Sequence, residues 1–318
     1  MLHSLMTTPA QTFRFSGHET FVCRYAWLPK AIREVSKNPL LFKNEDKAMV
    51  SLGVGKNMIR SICFWAEQAQ VITKPKGSQA HEVPRLGHDL FGHESYDPYL
   101  ENSQTLWLLH WKISTNPATP LFFWHQLLNY WHRAEFSESE IIPFFMKNAP
   151  PLGTNLRAQS TLESGFRVFV NSYVATRSPK GEVAEDNLDS PLVELDLVRR
   201  IGDRRVDGLG PRETIYAFNL DDKPAVTSAL FAYCLHDFWM NNYPEEKTLP
   251  FRTIAVAPGS PGQIFKIPET AVRRHLDQLK SVTAASYSFE ESASLQLAIR
   301  KKNTTSETLL EAIYSFED

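Results

Sequence analysis

The chain has 318 residues, with 34 Lys and Arg against 36 Asp and Glu, a hydrophobic fraction of 42% and a charged fraction of 22%. That balance excludes an intrinsically disordered chain, and 14 Gly and 20 Pro without a period exclude a collagen-like or low-complexity one. The net charge of −2 removes global basicity as a clue to nucleic-acid binding, so any basic surface must be local.

Three cysteines, Cys23, Cys63 and Cys234, cannot build a disulfide framework, and no CxxC pair offers a structural zinc site. A cytoplasmic location is expected. The amino-terminal stretch lacks a basic segment followed by an apolar one. The longest apolar runs, such as 106–111, fall well short of the roughly 20 residues that span a membrane.

In chain order, Phe13 and Phe15 alternate as in a strand, and residues 16–20 (SGHET) form a compact polar turn. Phe21, Tyr25, Leu28 and Ile32 recur with helical spacing and predict a helix over 21–35, bent or split by Pro29. A short helix over 46–52, a turn at Gly53-Val54-Gly55 and a second helix from Lys56 to about residue 71 follow. Next come a strand at 71–73, a turn at 74–78 with Lys74 and Lys76, and a returning segment at 82–86. Helix, Gly turn, helix and basic-tipped hairpin is the layout of a winged helix-turn-helix, whose second helix commonly enters the DNA major groove. Residues 52–87 carry five Lys or Arg against two Glu, a local charge of +3.

Residues 106–133 hold Trp107, Trp111, Trp124 and Trp131 with Phe122, Phe123 and Tyr130, which predicts a helical pair used for core and inter-domain packing. A base-stacking platform would need exposed aromatics beside basic residues, and only Lys112 and Arg133 qualify. Ser137 and Glu140 form a capping box for a helix to about Lys147, and a second helix covers 160–173. Toward the carboxyl terminus, a turn with a short helix (258–265), a helix (268–279) and a hairpin (286–289 with 295–299) make a second winged-helix candidate over about 250–302. The expected fold is therefore α+β and mostly helical. Winged helix-turn-helix units at 1–105 and 246–318 flank an aromatic-rich helical middle at 106–245, and strands are confined to wings.

Several motifs invite chemistry. Gly53-Val54-Gly55-Lys56-Asn57 lacks the first Gly and the Ser/Thr of a nucleotide P-loop. Lys56, Asn57 and Arg60 instead read as phosphate contacts at a helix start, joined by Lys74 and Lys76, or as solvated residues beside a plain turn. Arg273 and Arg274 are the candidates in the carboxyl-terminal unit. His18 and Glu19, near Arg24, suit a general base or metal ligand with a phosphate clamp, or equally a helix N-cap region. His81, His88 and His93, with Asp89 and Glu94, lack metal-ligand spacing and read as scattered histidines. Asp186 and Asp189 could hold Mg²⁺ or Mn²⁺, or could lie in a solvated loop. Pro258-Gly259-Ser260-Pro261-Gly262 could turn its amides toward a phosphate or only start a helical unit.

Taken together, residues 15–30 (FSGHETFVCRYAWLPK), 52–65 (LGVGKNMIRSICFW), 85–92 with 97–102, 185–195 (EDNLDSPLVEL) and 258–265 (PGSPGQIF) resemble a bacterial and archaeal domain-of-unknown-function family. That family contains SspB, the nicking subunit of single-strand DNA phosphorothioation systems. Asn102 departs from the family pattern, where an acid often follows the Glu at position 101, and this weakens any metal site built from adjacent carboxylates there. The resemblance implies a DNA nickase acting on double-stranded DNA in a phage-defence system. Its implied partners are a cysteine desulfurase, an ATPase and a phosphosulfate-reductase-like subunit. The residues themselves support DNA contact but show no nuclease signature, so a non-catalytic DNA-binding scaffold is the alternative.

Overall fold

Local chemistry sets the helix ends in the amino-terminal region. Helix α1 (Trp27–Lys37) begins well after the Phe21 start that its period predicts. Glu19 and Thr20 sit at positive φ, which ends any helix through the polar turn. Pro29 falls in the first turn, where its missing N–H would have had no intrahelical partner. Helix α2 (Glu45–Leu52) is capped by Asn44, whose side chain accepts from the Lys47 amide at 3.0 Å, and is ended by left-handed Gly53 at φ 63°. Helix α3 (Lys56–Gln68) follows at once. The hairpin behind it reduces to one bridge, in which Thr73 and Glu82 exchange N–H···O bonds of 2.9 and 2.8 Å. Helix α4 (Arg85–Phe91) starts at the end of the expected returning segment of 82–86, of which Glu82 makes the bridge. The computed structural model describes residues 12–151, 157–175, 190–206, 210–292 and 295–315.

Helices α5 (Ser103–Thr115) and α6 (Phe122–Asn129) carry the aromatic cluster. Trp107, Trp111, Trp124, Phe122 and Phe123 are all buried, as core packing requires. Lys112 is buried with them rather than lying beside an exposed ring. Strand β1 (Glu135–Ser137), helix α7 (Glu138–Asn148) and helix α8 (Gln159–Tyr173) come next. The Ser137 hydroxyl donates to Glu140 at 3.1 Å rather than accepting a helix amide.

The middle region is not purely helical. Strands β2 (Val198–Arg205) and β3 (Arg212–Phe218) pair with β1 in an antiparallel sheet of order β1-β3-β2. The expectation that strands lie only in wings is corrected here. Ion pairs line β2 and β3, with Arg204 on Glu213 at 2.9 Å and Arg200 on Asp203 at 2.7 Å, and a bulge between Arg200 and Gly202 breaks the alternation. Phe136, Phe218 and Tyr216 pack together on the inner face and supply the long-range driving force.

Helix α9 (Ser228–Asn242), capped by Thr227, opens the last region. Strand β4 (Thr248–Pro250), helices α10 (Phe251–Val256), α11 (Pro261–Phe265), α12 (Glu269–Asp277) and α13 (Leu279–Val282), and strands β5 (Tyr287–Glu291) and β6 (Gln296–Arg300) follow. The sheet order is β4-β6-β5, all antiparallel. Helix α14 (Ser306–Ser315) closes the described chain. Among the described residues no helix is long and apolar enough to cross a membrane.

Buried side chains from Phe15 to Ile313 form one continuous core. A polar relay runs through it. Trp124 Nε1 donates to the Tyr173 hydroxyl at 2.8 Å, that hydroxyl donates to His110 Nδ1 at 2.8 Å, and His110 Nε2 donates to the Ile264 carbonyl at 3.1 Å. Helices α5, α6, α8 and α11 are thereby tied together. Burial pulls the His110 pKa down to about 4, and burial does the same to His18, His125 and His275. Between the ordinary histidine value of 6.5 and about 4, the unfolded chain binds protons that the fold refuses. Stability is therefore complete above that window and falls as pH drops through it. Thermal melts from pH 7 to 4.5 should show a falling Tm, with a shallower slope in His110→Gln. A flat profile would show that these rings are protonated in the fold.

Candidate nucleic-acid interface

Helix α3 presents Lys56, Asn57 and Arg60 to solvent in its first turns. Glu45 of α2 sits between the two cations, with Lys56 Nζ on Oε2 and Arg60 Nε on Oε1, both at 2.8 Å. Hydrogen bonds from Lys56 and then Arg60 hold the Glu45 carboxyl below its ordinary range. Glu19 approaches Arg60 at 3.9 Å. The +3 counted over residues 52–87 thus meets two carboxylates from outside that window. Glu45 is a site residue that sequence reasoning missed; its signal was an acid in the first turn of the helix preceding a Gly turn.

Lys74 and Lys76 are exposed in the hairpin. That hairpin packs on the other half of α3 through His81, which meets Cys63 and Glu67. The 13 residues of α3 give a helix about 20 Å long, so the two basic groups sit toward opposite ends of it. In the last region Arg273 pairs with Glu291 of β5 and Arg274 with Asp222.

The turn at 16–20 packs against α3. His18 is 5% exposed and lies edge-on to Phe64, at 5.5 Å between centroids. Its Nδ1 accepts the Thr20 amide at 3.1 Å, and its carbonyl accepts from the Ser61 hydroxyl at 2.9 Å. Nε2 then carries the proton of the neutral ring and is buried without a hydrogen-bond partner. Burial, helped by Arg14, lowers the His18 pKa to about 4. Glu19 faces Arg60, whereas Arg24 lies over the Trp27 ring at 5.5 Å. Asp186 and Asp189 lie outside the described residues.

The histidines of residues 81–93 part company. His81 is buried against α3, while His88 and His93 are exposed. The 258–262 turn works internally: the Gly259 amide donates to Asn129 Oδ1 at 2.7 Å, and Ser260 caps α11. Asn102 caps α5 by accepting the Gln104 amide at 2.8 Å.

A family described as "Protein of unknown function (DUF4007)" matches residues 15–314. The chain belongs to the DUF4007 family. Two solved structures share the fold of this DUF4007 chain. One is a crystal structure of SspB, with TM-score 0.81, 22% identity, and coverage of 96% of this chain and 90% of that one. The other is a magnesium-bound SspB crystal structure, with TM-score 0.79, 20% identity and coverage of 96% and 87%. At these identities the likeness is one of fold. No curated protein matches the chain.

Among the described residues, the one group of three or more His, Cys, Asp and Glu with converging ligand atoms is Cys63, Glu67 and His81. Thiolate and imidazole do not suit Mg²⁺, which takes oxygen ligands in octahedral geometry. That group therefore does not fit the ion bound by the second SspB structure.

Proposed function

We propose that this protein is a DNA-contacting subunit of a single-strand phosphorothioation system. The exposed Lys56-Asn57-Arg60 start of α3 meets the phosphate backbone, and Lys74 and Lys76 in the hairpin extend the contact. The exposed basic helix start after a Gly53 turn carries this reading, and the fold shared with SspB supplies its context. The α1-α2-α3-hairpin order, and the β4-β6-β5 sheet behind α12, are the layouts we read as winged helices. In the second, α12 brings Arg273 and Arg274 to DNA once their carboxylate partners release them. Phosphates displace the Glu45 carboxylate from Lys56 and Arg60, because the dense row of phosphate charges on a duplex acts together and its neutralisation releases counterions.

The sign of each substitution tests this. Lys56→Ala with Arg60→Ala should weaken binding to duplexes of any sequence and reduce the salt slope by roughly two. Glu45→Gln should strengthen binding at low salt, since it removes a competing and repelling anion. Fluorescence anisotropy across a salt series reads both. Unchanged affinity in the double variant would move the surface to Arg273 and Arg274.

In the same reading the protein nicks DNA, and Asp186 and Asp189 would hold a Mg²⁺ that activates water for attack on a phosphodiester. His18 is a positioning residue, since Thr20 occupies its only lone pair and burial keeps the ring neutral. It fixes the turn that bears Glu19, with Arg24 as the clamp. The implied desulfurase, ATPase and reductase-like subunits are the proposed partners. Supercoiled plasmid, incubated with Mg²⁺ or EDTA, should open only with Mg²⁺. Glu19→Gln should stop nicking without weakening the affinity read by anisotropy. Binding without nicking, even with the partner subunits added, favours the scaffold reading.

A further inference from the structure

We propose that Cys63, Glu67 and His81 form a binding site for a borderline-soft, tetrahedral divalent cation of the zinc class. This site is independent of the DNA reading. Cys63 and Glu67 stand one turn apart on α3, and His81 reaches them from the return limb of the hairpin. The three ligand atoms form a triangle: Cys63 Sγ to His81 Nε2 3.5 Å, His81 Nε2 to Glu67 Oε1 3.0 Å, and Cys63 Sγ to Glu67 Oε1 3.8 Å. Bonds of about 2.3 Å to sulfur and about 2.0–2.1 Å to nitrogen and oxygen, at tetrahedral angles, require separations of about 3.5, 3.3 and 3.5 Å. The site is thus one face of a tetrahedron, reachable with shifts of a few tenths of an ångström.

The surroundings support the carboxylate ligand and the ring position, while His81 Nδ1, which would carry the proton, is buried without an acceptor. Glu67 would bind through Oε1 alone, because its Oε2 is already engaged by Arg14 Nη1 at 3.1 Å. A second group of this kind fixes a ligating carboxylate and raises affinity. Arg14 is itself held against the Phe64 ring at 4.2 Å and by its backbone bonds to Pro120 and Phe122. Thiolate, carboxylate, guanidinium and a divalent ion leave only one positive charge in a half-buried site. Glu67 also borders a cavity of about 530 Å³ with Gln70, Thr73 and Lys74, so the carboxylate is the ligand through which the group meets solvent. Phe42 presses on the His81 ring, and the His81 amide is anchored on the Pro39 carbonyl at 2.8 Å, so the imidazole is pre-placed.

Binding replaces the Cys63 proton, which leaves to solvent, and staples the hairpin with Lys74 and Lys76 to α3. The ion is therefore structural and sets the pose of a basic loop.

Tag-free full-length protein, stripped with chelator and dialysed, should take up one equivalent of Co²⁺ with a near-ultraviolet thiolate-to-cobalt charge-transfer band. Zn²⁺ should displace the cobalt and raise Tm, and millimolar Mg²⁺ should do neither. Cys63→Ser should abolish the band. His81→Gln should weaken Zn²⁺ binding by at least about tenfold, and Arg14→Gln by about 10–100-fold. Circular dichroism of the metal-free variants checks folding; if Cys63→Ser does not fold, His81→Gln and Arg14→Gln carry the test. The proposal is overturned if the wild type binds less than one equivalent. It is equally overturned if the band survives in folded Cys63→Ser, which would assign it to Cys23 or Cys234. Duplex binding that persists in the stripped protein while no equivalent of metal is taken up would overturn the metal site and leave the DNA reading standing.

Discussion

Asp237→Ala should lower the unfolding free energy by about 3–5 kcal/mol, the usual consequence of leaving one partner of a buried ion pair uncompensated. Lys112 on α5 is 5% exposed, and its Nζ lies 2.8 Å from Asp237 Oδ2 on α9. The same oxygen accepts Trp111 Nε1 at 2.8 Å, while Oδ1 accepts from Asn241 at 3.1 Å. Burial alone would pull the Lys112 ammonium toward neutrality, but Tyr233 and Asp237 more than offset it and hold the pKa above the ordinary lysine value. Without the carboxylate, a buried ammonium and a buried indole N–H both lose their acceptor. Lys112→Met combined with Asp237→Asn should recover most of the loss, because it removes the charge and keeps an oxygen for Trp111. Urea unfolding with intrinsic tryptophan fluorescence measures both. A loss below about 1 kcal/mol for Asp237→Ala would place the pair in solvent-like surroundings.

Gly165→Ala is the second large effect, and its sign opposes helix propensity. In an exposed helix interior the change would stabilise by about 1 kcal/mol. At position 165 of α8 the new Cβ would lie 1.9 Å from Phe123 Cε2 and 2.0 Å from Cζ. Phe123 cannot simply turn aside, since its ring is hemmed in by Phe122 at 5.5 Å, Phe145 at 5.3 Å and Phe15 at 5.9 Å. Either α8 moves off α6 or the aromatic cluster repacks. The net cost should be about 2–4 kcal/mol, at or beyond the upper end for overpacked cores. Phe123→Leu in the same chain should return part of it by opening space. A Tm equal to wild type in Gly165→Ala would show that α8 and α6 are not in this contact.

Features that depend on nearest neighbours along the chain were readable from the sequence alone. The α2-Gly53-α3 turn follows from an Asn44 cap, a helical period and a glycine in the left-handed region, all within a few residues of one another. The hairpin of β5 and β6 and the helices over 138–148 and 159–173 are legible for the same reason. The resemblance of residues 15–30, 52–65 and 258–265 to the SspB-containing family likewise needed no coordinates.

Tertiary structure alone decided what those elements bring together. The β1-β3-β2 sheet escaped the sequence because β2 is mostly charged, and the packing partner of β3 is Phe136, which is far away in the chain. The sequence left His18 balanced between a catalytic and a structural place. Phe64 on α3 lies against the ring and Ser61 holds its backbone carbonyl, and the resulting burial lowers the ring's pKa to about 4. The local excess of basic charge was visible, but its neutralisation by Glu45 and Glu19 arises only when α2 and the polar turn fold against α3. Cys63 and Glu67 share a helix face by simple periodicity. His81 joins them only through the hairpin, because a ligand contributed across a loop closure has no periodic signature in the sequence.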